Sequence, residues 1–428
     1  MFNRIYENIE MIKTLRCNKP IIINAEIKLP ASKSISNRLL IIKALSQNKF
    51  VIDNLSQAND TLLLQNILRE LNHKPTQEIR NIDAQDAGTV FRFLTAYLSR
   101  TKGKFLLRGS ERMQKRPIGI LVDALRKLGA QISYLNQEGF PPLLIEGRSL
   151  TSKPLKIQSN ISSQFITALL LIAPLLPKGL KIEFEQKPSS FPYILMTLRL
   201  MQTYGIELEY NEAKIEVSPG NYITKNISIE SDWSAAAFWY QSLAFSNNGQ
   251  LLLKGLNIES IQGDSILPGI YTQFGIKTTK LDKTILIKKE GAINYNFNFD
   301  FSQHPDLALP LIATCAGLGI IGKFTGLESL KIKESNRVKV LETELSKLGF
   351  DFRETGKNEW VLINSCKVEK PDYDFSDVII NTYEDHRVAM SFAPFCLIGK
   401  GIQIKNPSVI NKSFPNYWQE FKKLTTLA

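Results

Sequence analysis

Apolar and polar positions along this chain follow a recurring pattern. An amphipathic helical stretch ends in an aromatic residue or leucine, a glycine follows, and a short strand of alternating character comes next. Leu121 to Leu128 leads through Gly129 into Ala130-Gln131-Ile132-Ser133-Tyr134. The stretch through Leu198 and Met201 to Tyr204 leads through Gly205 into Ile206-Glu207-Leu208-Glu209-Tyr210. A third helix is predicted to end at Phe274-Gly275 ahead of Ile276-Lys277-Thr278. A fourth carries Leu341, Leu345 and Leu348 before Gly349 and Phe350-Asp351-Phe352. Spacings of four and three put the leucines of a helix on one face. A glycine can take the left-handed conformation that closes the helix and releases a strand. A weaker copy from Phe50 to Pro75 has Leu63, Ile67 and Leu71 but no closing glycine. Repeated units of this kind predict an α/β protein built from similar modules. Since any α/β protein shows some such turns, the repeats alone leave true duplication open.

Composition narrows the class. The 428 residues are 43% hydrophobic and 22% charged, which excludes disordered, collagenous and coiled-coil chains. At roughly 150 residues per domain, the length predicts two or three domains. No long low-complexity linker marks a boundary, and connections are expected near Lys28–Pro30 and Glu230–Trp233. Met1 to Lys13 mixes charged with apolar residues and reads as no secretory signal. The apolar stretch Leu307 to Gly322 is broken by Pro310, Thr314, Gly317 and Gly319, so it reads as buried core rather than a membrane span. Cys17, Cys315, Cys366 and Cys396 form no CxxC or Cys/His cluster, which predicts neither a disulfide framework nor a zinc site and points to a reducing compartment. His73 reads as a surface residue. The net charge of +12 calls for an anionic partner: nucleic acid, a membrane surface or a phosphorylated small molecule.

Candidate chemistry lies where charged or hydroxyl residues open apolar segments. In Leu29-Pro30-Ala31-Ser32-Lys33-Ser34-Ile35-Ser36-Asn37-Arg38 a strand gives way to a helix whose N-terminus suits phosphate or carboxylate. Asp86-Ala87-Gly88-Thr89-Val90-Phe91-Arg92 joins a glycine that admits close approach to a hydroxyl and a guanidinium. Arg112-Met113-Gln114-Lys115-Arg116-Pro117 concentrates three cations before a helix predicted over 118–128. Ser162-Ser163-Gln164-Phe165 stands before an apolar helix from Ile166 to Leu176. In the C-terminal half stand His304-Pro305-Asp306, Lys331-Ile332-Lys333-Glu334-Ser335-Asn336-Arg337, Asp385-His386-Arg387 and Lys412-Ser413-Phe414-Pro415. Asp306 and Glu334 are candidate acid–base carboxylates. Singly, each segment also fits a helix cap, solvated surface charge or a structural ion pair. Walker, GxGxxG, GxSxG and HExxH patterns are all missing, which leaves nucleotide-loop, dinucleotide, triad and zinc-hydrolase chemistry without support.

Taken in order, LPASKSISNR, DAGTVFR, ERMQKRPIG, SSQF, SDWSAAAFW, HPDLALP, LKIKESNR, EDHRVAM and KSFPNYW resemble the 3-phosphoshikimate 1-carboxyvinyltransferase (EPSP synthase) family over about residues 29–418. The resemblance implies the enolpyruvyl transferase fold, an inside-out α/β barrel of two similar domains, each of three βαβαββ-type units with helices inside and sheets outside. It places a discontinuous domain, with the C-terminal half of the active site, at residues 1–28 plus 233–428. A second domain with the shikimate 3-phosphate motifs is placed at 29–232. It implies transfer of the enolpyruvyl group of phosphoenolpyruvate to the 5-hydroxyl of shikimate 3-phosphate, a step of chorismate and aromatic amino acid biosynthesis. Together the substrates bring about six negative charges near neutral pH.

By the same resemblance, Lys33, Gly88, Arg116, Gln164, Arg337, His386, Arg387 and Lys412 would surround phosphoenolpyruvate. Lys33, Ser34, Arg38, Thr89, Ser162, Ser163, Gln164, Ser190, Tyr193, Asp306 and Lys333 would hold shikimate 3-phosphate. Asp306 would take the hydroxyl proton, and Glu334 and Lys33 would handle the proton at the methylene. Domain closure would assemble the site and exclude water. No metal or organic cofactor, nucleic acid or membrane is implied, and a cytoplasmic monomer is expected. Ala31, Asp86, Phe93, Ser329 and Asn336 depart from the family's usual residues. Two rivals remain: the sister enzyme acting on UDP-N-acetylglucosamine, and a basic nucleic-acid-binding protein. Against the first, the sister family usually has a loop cysteine near Arg116, and no cysteine lies between Cys17 and Cys315. Against the second, the cations alternate with Ser, Gln and Asp rather than with aromatics.

Overall fold

The computed structural model describes residues 11–17, 21–46, 50–71, 78–157, 162–282, 284–363 and 373–425. Residues 1–10, His73, Pro75 and Cys366 lie outside them. The chain divides into two compact units. One takes in the chain up to Pro30, Trp233–Ile258 and everything from Asp264 onward; the other comprises Ala31–Asp232 and Glu259–Gly263. Each has its own apolar core.

Among the described residues the strands form six separate sheets, three in each unit. Four of them share one wiring. The first strand runs parallel to the second, the second pairs antiparallel with the fourth, and the fourth pairs antiparallel with the third. In the unit of Ala31–Asp232 these are Ile79–Asp83, Gly103–Arg108, Gln131–Tyr134 and Leu143–Gly147. Leu155–Ile157, Leu180–Phe184, Leu208–Tyr210 and Lys214–Val217 repeat the order. In the other unit it recurs in Phe299–Asp300, Gly322–Thr325, Asp351–Gly356 and Glu359–Ile363. It recurs again in Ile22–Lys28, Asn248–Lys254, Phe274–Leu281 and Thr284–Ile293, with residues 31–232 inserted after the first strand. A helix follows the first and second strands of each set, so the module is βαβαββ. The remaining sheets are smaller: Ile12–Leu15 with Ile402–Lys405 and Ile379–Ile380, and Ile52–Asp53 with Ile227–Ser228.

The burial pattern sets the layering. Strands such as Asn248–Lys254 alternate between buried and exposed positions, so one sheet face meets solvent. Several helices are apolar all round: in Trp233–Phe245 every residue but Ser234 is buried, and Ser163–Ile172 and Ala308–Leu318 are buried nearly throughout. A helix apolar on every side has to lie inside. Within each unit these apolar helices therefore lie inside, with the sheets towards solvent. No described helix is long and apolar enough to cross a membrane.

The predicted helix–glycine–strand turns occur at Gly129, Gly205 and Gly349, whose φ angles are +95°, +81° and +83°. Phe274-Gly275 departs from the expectation. The helix is the short Leu267–Tyr271, and Phe274 and Gly275 already belong to the strand. There Gly275, at φ +75°, sits in a bulge beside Gly291, whose carbonyl oxygen would lie 3.0 Å from an added Cβ. The apolar helix expected from Ile166 begins earlier, at Ser163, and after Ile172 tightens into a 3₁₀ turn over Ala173–Leu175. Cys17, Cys315 and Cys396 are buried free thiols, with the sulfurs of Cys17 and Cys396 3.2 Å apart.

Candidate active site

In the unit of Ala31–Asp232, the motif residues sit at helix beginnings. Ser32 caps Lys33–Leu45 by accepting from the Ile35 amide, and Ser162 caps Ser163–Ile172 by accepting from the Gln164 amide. Gly88 and Thr89 open Gly88–Arg100, and Ser190, at φ +57°, precedes Phe191–Thr203 with Tyr193 in its first turn. These ends present amide N–H groups and the positive pole of the helix dipole. Arg38 ties three of the helices together. Its Nη1 donates to the Ser34 carbonyl at 2.8 Å, Nε to Thr197 Oγ1 at 2.8 Å and Nη2 to the Tyr193 carbonyl at 3.0 Å. Nη2 also lies 3.4 Å from Thr167 Oγ1. Burial lowers its pKa to about 10, with Tyr193 partly opposing the shift.

Gly88 is where guanidinium groups converge. A Cβ added there would lie 2.5 Å from both Arg92 Nη1 and Arg116 Nη1, so only glycine lets the two forks close over the helix end. Arg92 also lies over the Phe165 ring, 5.2 Å from its centre, which joins this cluster to the Ser162–Gln164 helix start. Arg116 Nε and Gln164 Oε1 are buried and make no hydrogen bond among the described residues. Such groups are costly to bury unless a ligand or water completes them. Lys33, also half-buried, bonds the Asp60 carboxylate at 3.1 Å.

The other unit holds its motif residues in an ion-pair network. Asn336 caps helix Arg337–Lys347 by accepting from the Lys339 amide. Arg337, 1% exposed, lies among three carboxylates: Asp385 Oδ2 at 2.8 Å, Glu334 Oε2 at 3.0 Å and Asp306 Oδ1 at 3.2 Å. Burial works against its charge, but Asp385, Glu334 and Asp306 more than offset that and hold its pKa above the ordinary value. Burial likewise raises the Asp385 pKa, and the Arg337 charge overrides it, so this carboxyl sits below its usual range. Asp385 also accepts from the Ser335 hydroxyl and caps helix His386–Phe392 through the Arg387 amide. Arg387 reaches back to Asp306, with Nη2 3.1 Å from Oδ2 and Nη1 donating to the carbonyl at 3.0 Å. The Asp306 carboxylate is thus gripped by two guanidinium groups. His386 is buried beside Asp385, and Lys412 ends a 3₁₀ turn that packs against the His386–Phe392 helix.

The residues singled out in the sequence therefore fall into two groups, one in each unit. Lys33, Ser34, Arg38, Gly88, Thr89, Arg116, Ser162, Ser163, Gln164, Ser190 and Tyr193 belong to the first. Asp306, Lys333, Glu334, Arg337, His386, Arg387 and Lys412 belong to the second. Every one of them is buried or half-buried. Sequence reasoning gave no role to Asp60, the partner of Lys33, or to Asp385, the partner of Arg337. Asp385 stands in the motif Asp385-His386-Arg387, whereas Asp60 has no signal beyond an acidic residue starting a helix. Two of the unusual residues keep a local function: Asn336 caps its helix, and Asp86 accepts from the Ser110 hydroxyl.

Comparison with known proteins places these features in a family. Residues 17–421 match the family model for EPSP synthase (3-phosphoshikimate 1-carboxyvinyltransferase). A Bacteroides fragilis protein named 3-phosphoshikimate 1-carboxyvinyltransferase is 45% identical over 402 residues, which covers 94% of this chain and 95% of that one. A Cellvibrio japonicus protein of the same name is 34% identical, covering 94% of this chain and 96% of that one. The solved structure of an EPSP synthase from Acinetobacter baumannii superposes with a TM-score of 0.77 at 20% identity, covering 96% of this chain and 97% of that chain.

Proposed function

This chain belongs to the EPSP synthase family, and from that premise we propose the reaction and the residue roles of its site. The enzyme transfers the enolpyruvyl group of phosphoenolpyruvate to the 5-hydroxyl of shikimate 3-phosphate, giving 5-enolpyruvylshikimate 3-phosphate and inorganic phosphate. The observation that supports this reading best is the Gly88 cluster. Two guanidinium groups meet at a helix N-terminus beside the buried Arg116 Nε and Gln164 Oε1, an arrangement suited to a small polyanion.

Lys33, Gly88, Arg116 and Gln164 are assigned to phosphoenolpyruvate, together with Arg337, His386, Arg387 and Lys412. Ser34, Arg38, Thr89, Ser162, Ser163, Ser190, Tyr193 and Lys333 are assigned to shikimate 3-phosphate, with Lys33, Gln164 and Asp306 bordering it. In the first half of the reaction, Asp306 takes the proton of the 5-hydroxyl as its oxygen attacks the central enol carbon. The methylene receives a proton from Glu334 or Lys33, and the product is a tetrahedral ketal. In the second half, the same group takes a proton back from the new methyl. The C–O bond to phosphate breaks, the double bond re-forms, and the proton held on Asp306 leaves with the phosphate. Fixed arginines and lysines stabilise the charge on the leaving group electrostatically, so these steps call on no metal or organic cofactor.

A coupled assay of phosphate release with both substrates tests the reading. Wild type is expected to turn over, and Asp306→Ala and Lys33→Ala to fall by about 10²–10⁴-fold. No release by wild type, or undiminished release by both variants, overturns it. UDP-N-acetylglucosamine in place of shikimate 3-phosphate is expected to give no release.

A further inference from the structure

Helix Arg337–Lys347 presents more than Arg337 to the functional segment. Glu344 lies seven residues, two helical turns, after Arg337 and is wholly buried. Its carboxylate accepts from three groups. The Tyr383 hydroxyl donates to Oε1 at 2.6 Å, the Asn381 amide to Oε2 at 3.3 Å, and Lys347 Nζ lies 2.9 and 2.7 Å from the two oxygens. Lys347 also donates to the Ile379 carbonyl at 3.0 Å. One helix thus clamps the stretch 379–385 at two places: Glu344 and Lys347 hold its start, and Arg337 holds Asp385 at its end.

The backbone between the two clamps is unusual. Tyr383 and Glu384 have φ angles of +52° and +55°, consecutive left-handed residues without a glycine. L-residues adopt that conformation only where surrounding contacts impose it, and such strain gathers at functional turns. Here it immediately precedes Asp385, His386 and Arg387, with the turn closed by the Asp385 amide donating to the Thr382 carbonyl at 2.8 Å. Although Tyr383 is 39% exposed, partial desolvation of its hydroxyl, together with the bond to Glu344 and its charge, pushes that hydroxyl up to about 12, so it remains a donor throughout the neutral range.

We propose that Glu344 and Tyr383 are positioning residues: their hydrogen bond maintains the left-handed Tyr383–Glu384 turn and so aims His386 and Arg387 at phosphoenolpyruvate. This rests on the assignment of those two residues made above. Loss of the bond lets the turn relax towards ordinary backbone angles and loosens the grip of Arg387, while residues of the other unit that hold shikimate 3-phosphate are untouched.

Two measurements on Tyr383→Phe test it. Steady-state phosphate release is expected to show KM for phosphoenolpyruvate raised about tenfold, with KM for shikimate 3-phosphate within about twofold of wild type. Glu344→Ala should raise the same constant, and the double variant should be no worse than Glu344→Ala alone, because that change already removes the bond to Tyr383 along with those to Asn381 and Lys347. Hydrogen exchange should speed at the amides of 382–388 and remain unchanged in helix Ala308–Leu318. Unchanged exchange at 382–388 overturns the strut, whether or not the enzyme acts on these substrates. Faster exchange with both KM values unchanged, or altered equally, overturns its role in positioning. Faster exchange in Tyr383→Phe, when wild type itself releases no phosphate, instead overturns the assigned reaction, so the two failures are separable.

Discussion

In the unit of Ala31–Asp232, Arg92 and Arg116 crowd onto a glycine at a helix N-terminus, and like charges are brought together. In the other unit, Arg337 lies among Asp306, Glu334 and Asp385, and Arg387 adds a second guanidinium to Asp306. Both regions use arginine, with opposite electrostatic results. The first sums a helix dipole and cations into a positive field that an anion would complete. The second sets three carboxylates against two guanidinium groups, with geometry held by charge-assisted hydrogen bonds. The difference is a division in how charge is held: one region accumulates positive charge at a helix end, whereas the other balances carboxylates against guanidinium groups.

The sharpest test of that division compares Lys33→Met with Asp306→Asn. Each is expected to reduce phosphate release by about 10²–10⁴-fold. Urea titrations should show both folded, since Arg337 keeps Asp385 and Glu334 when Asp306 is neutralised.

Next in size is Asp385→Ala. Removing one member of a buried ion pair costs about 3–5 kcal/mol, so the urea midpoint should fall strongly. Because Arg337 keeps the Asp385 pKa depressed, the native state binds this proton less readily than the unfolded chain does. Its stabilisation is complete above the unfolded value of about 3.9 and is lost as pH falls through the lower native value. The variant should accordingly show a shallower acid decline than wild type; an equal slope would mean the pair is electrostatically silent.

Gly88→Ala comes third. Its methyl would press on the ends of two flexible guanidinium side chains, which can swing aside at little cost to folding but away from an anion; losing one charge-assisted hydrogen bond costs about 1.5–3 kcal/mol, or roughly ten- to 150-fold in affinity. The effect should appear as a raised KM for phosphoenolpyruvate with a nearly unchanged urea midpoint. A collapse in stability would show that the positive cluster is part of the core rather than a binding surface.

The smallest effect is expected from Asp60→Asn, which removes the partner of a half-buried lysine. About 1 kcal/mol is at stake, or a fewfold change in kcat/KM. Neutralising Asp60 should also steepen the salt dependence of KM for phosphoenolpyruvate, because the field at Lys33 becomes more positive.

How much of this was legible beforehand varied with the range of the interaction. Leu341, Leu345 and Leu348 marked a helix face, and Gly349 its end, because that pattern depends on backbone geometry over a few residues. Phe274-Gly275 carried the same local signal yet lies in a strand bulge, since its conformation is decided by pairing with residues near Gly291. The motifs named most of the charged groups, and Asp385 was among them. Its role was not legible, because its partner Arg337 stands 48 residues away. Lys33 with Asp60, 27 residues apart, was hidden in the same way. Glu344 and Tyr383, 39 residues apart, looked like an ordinary helix acid and loop aromatic.

The sequence by itself determined the alternation of helices and strands, the turns that let glycine close them, and the ordered motifs that mark the family. Those features arise from hydrogen-bonding and burial periodicities confined to short stretches of chain. Only the tertiary structure decided which charges oppose one another, that Gly88 is the meeting point of two guanidinium groups, and that one helix clamps the turn before Asp385 at two places. Electrostatic energy depends on separations of a few ångströms between groups far apart in the chain, and packing sets those separations.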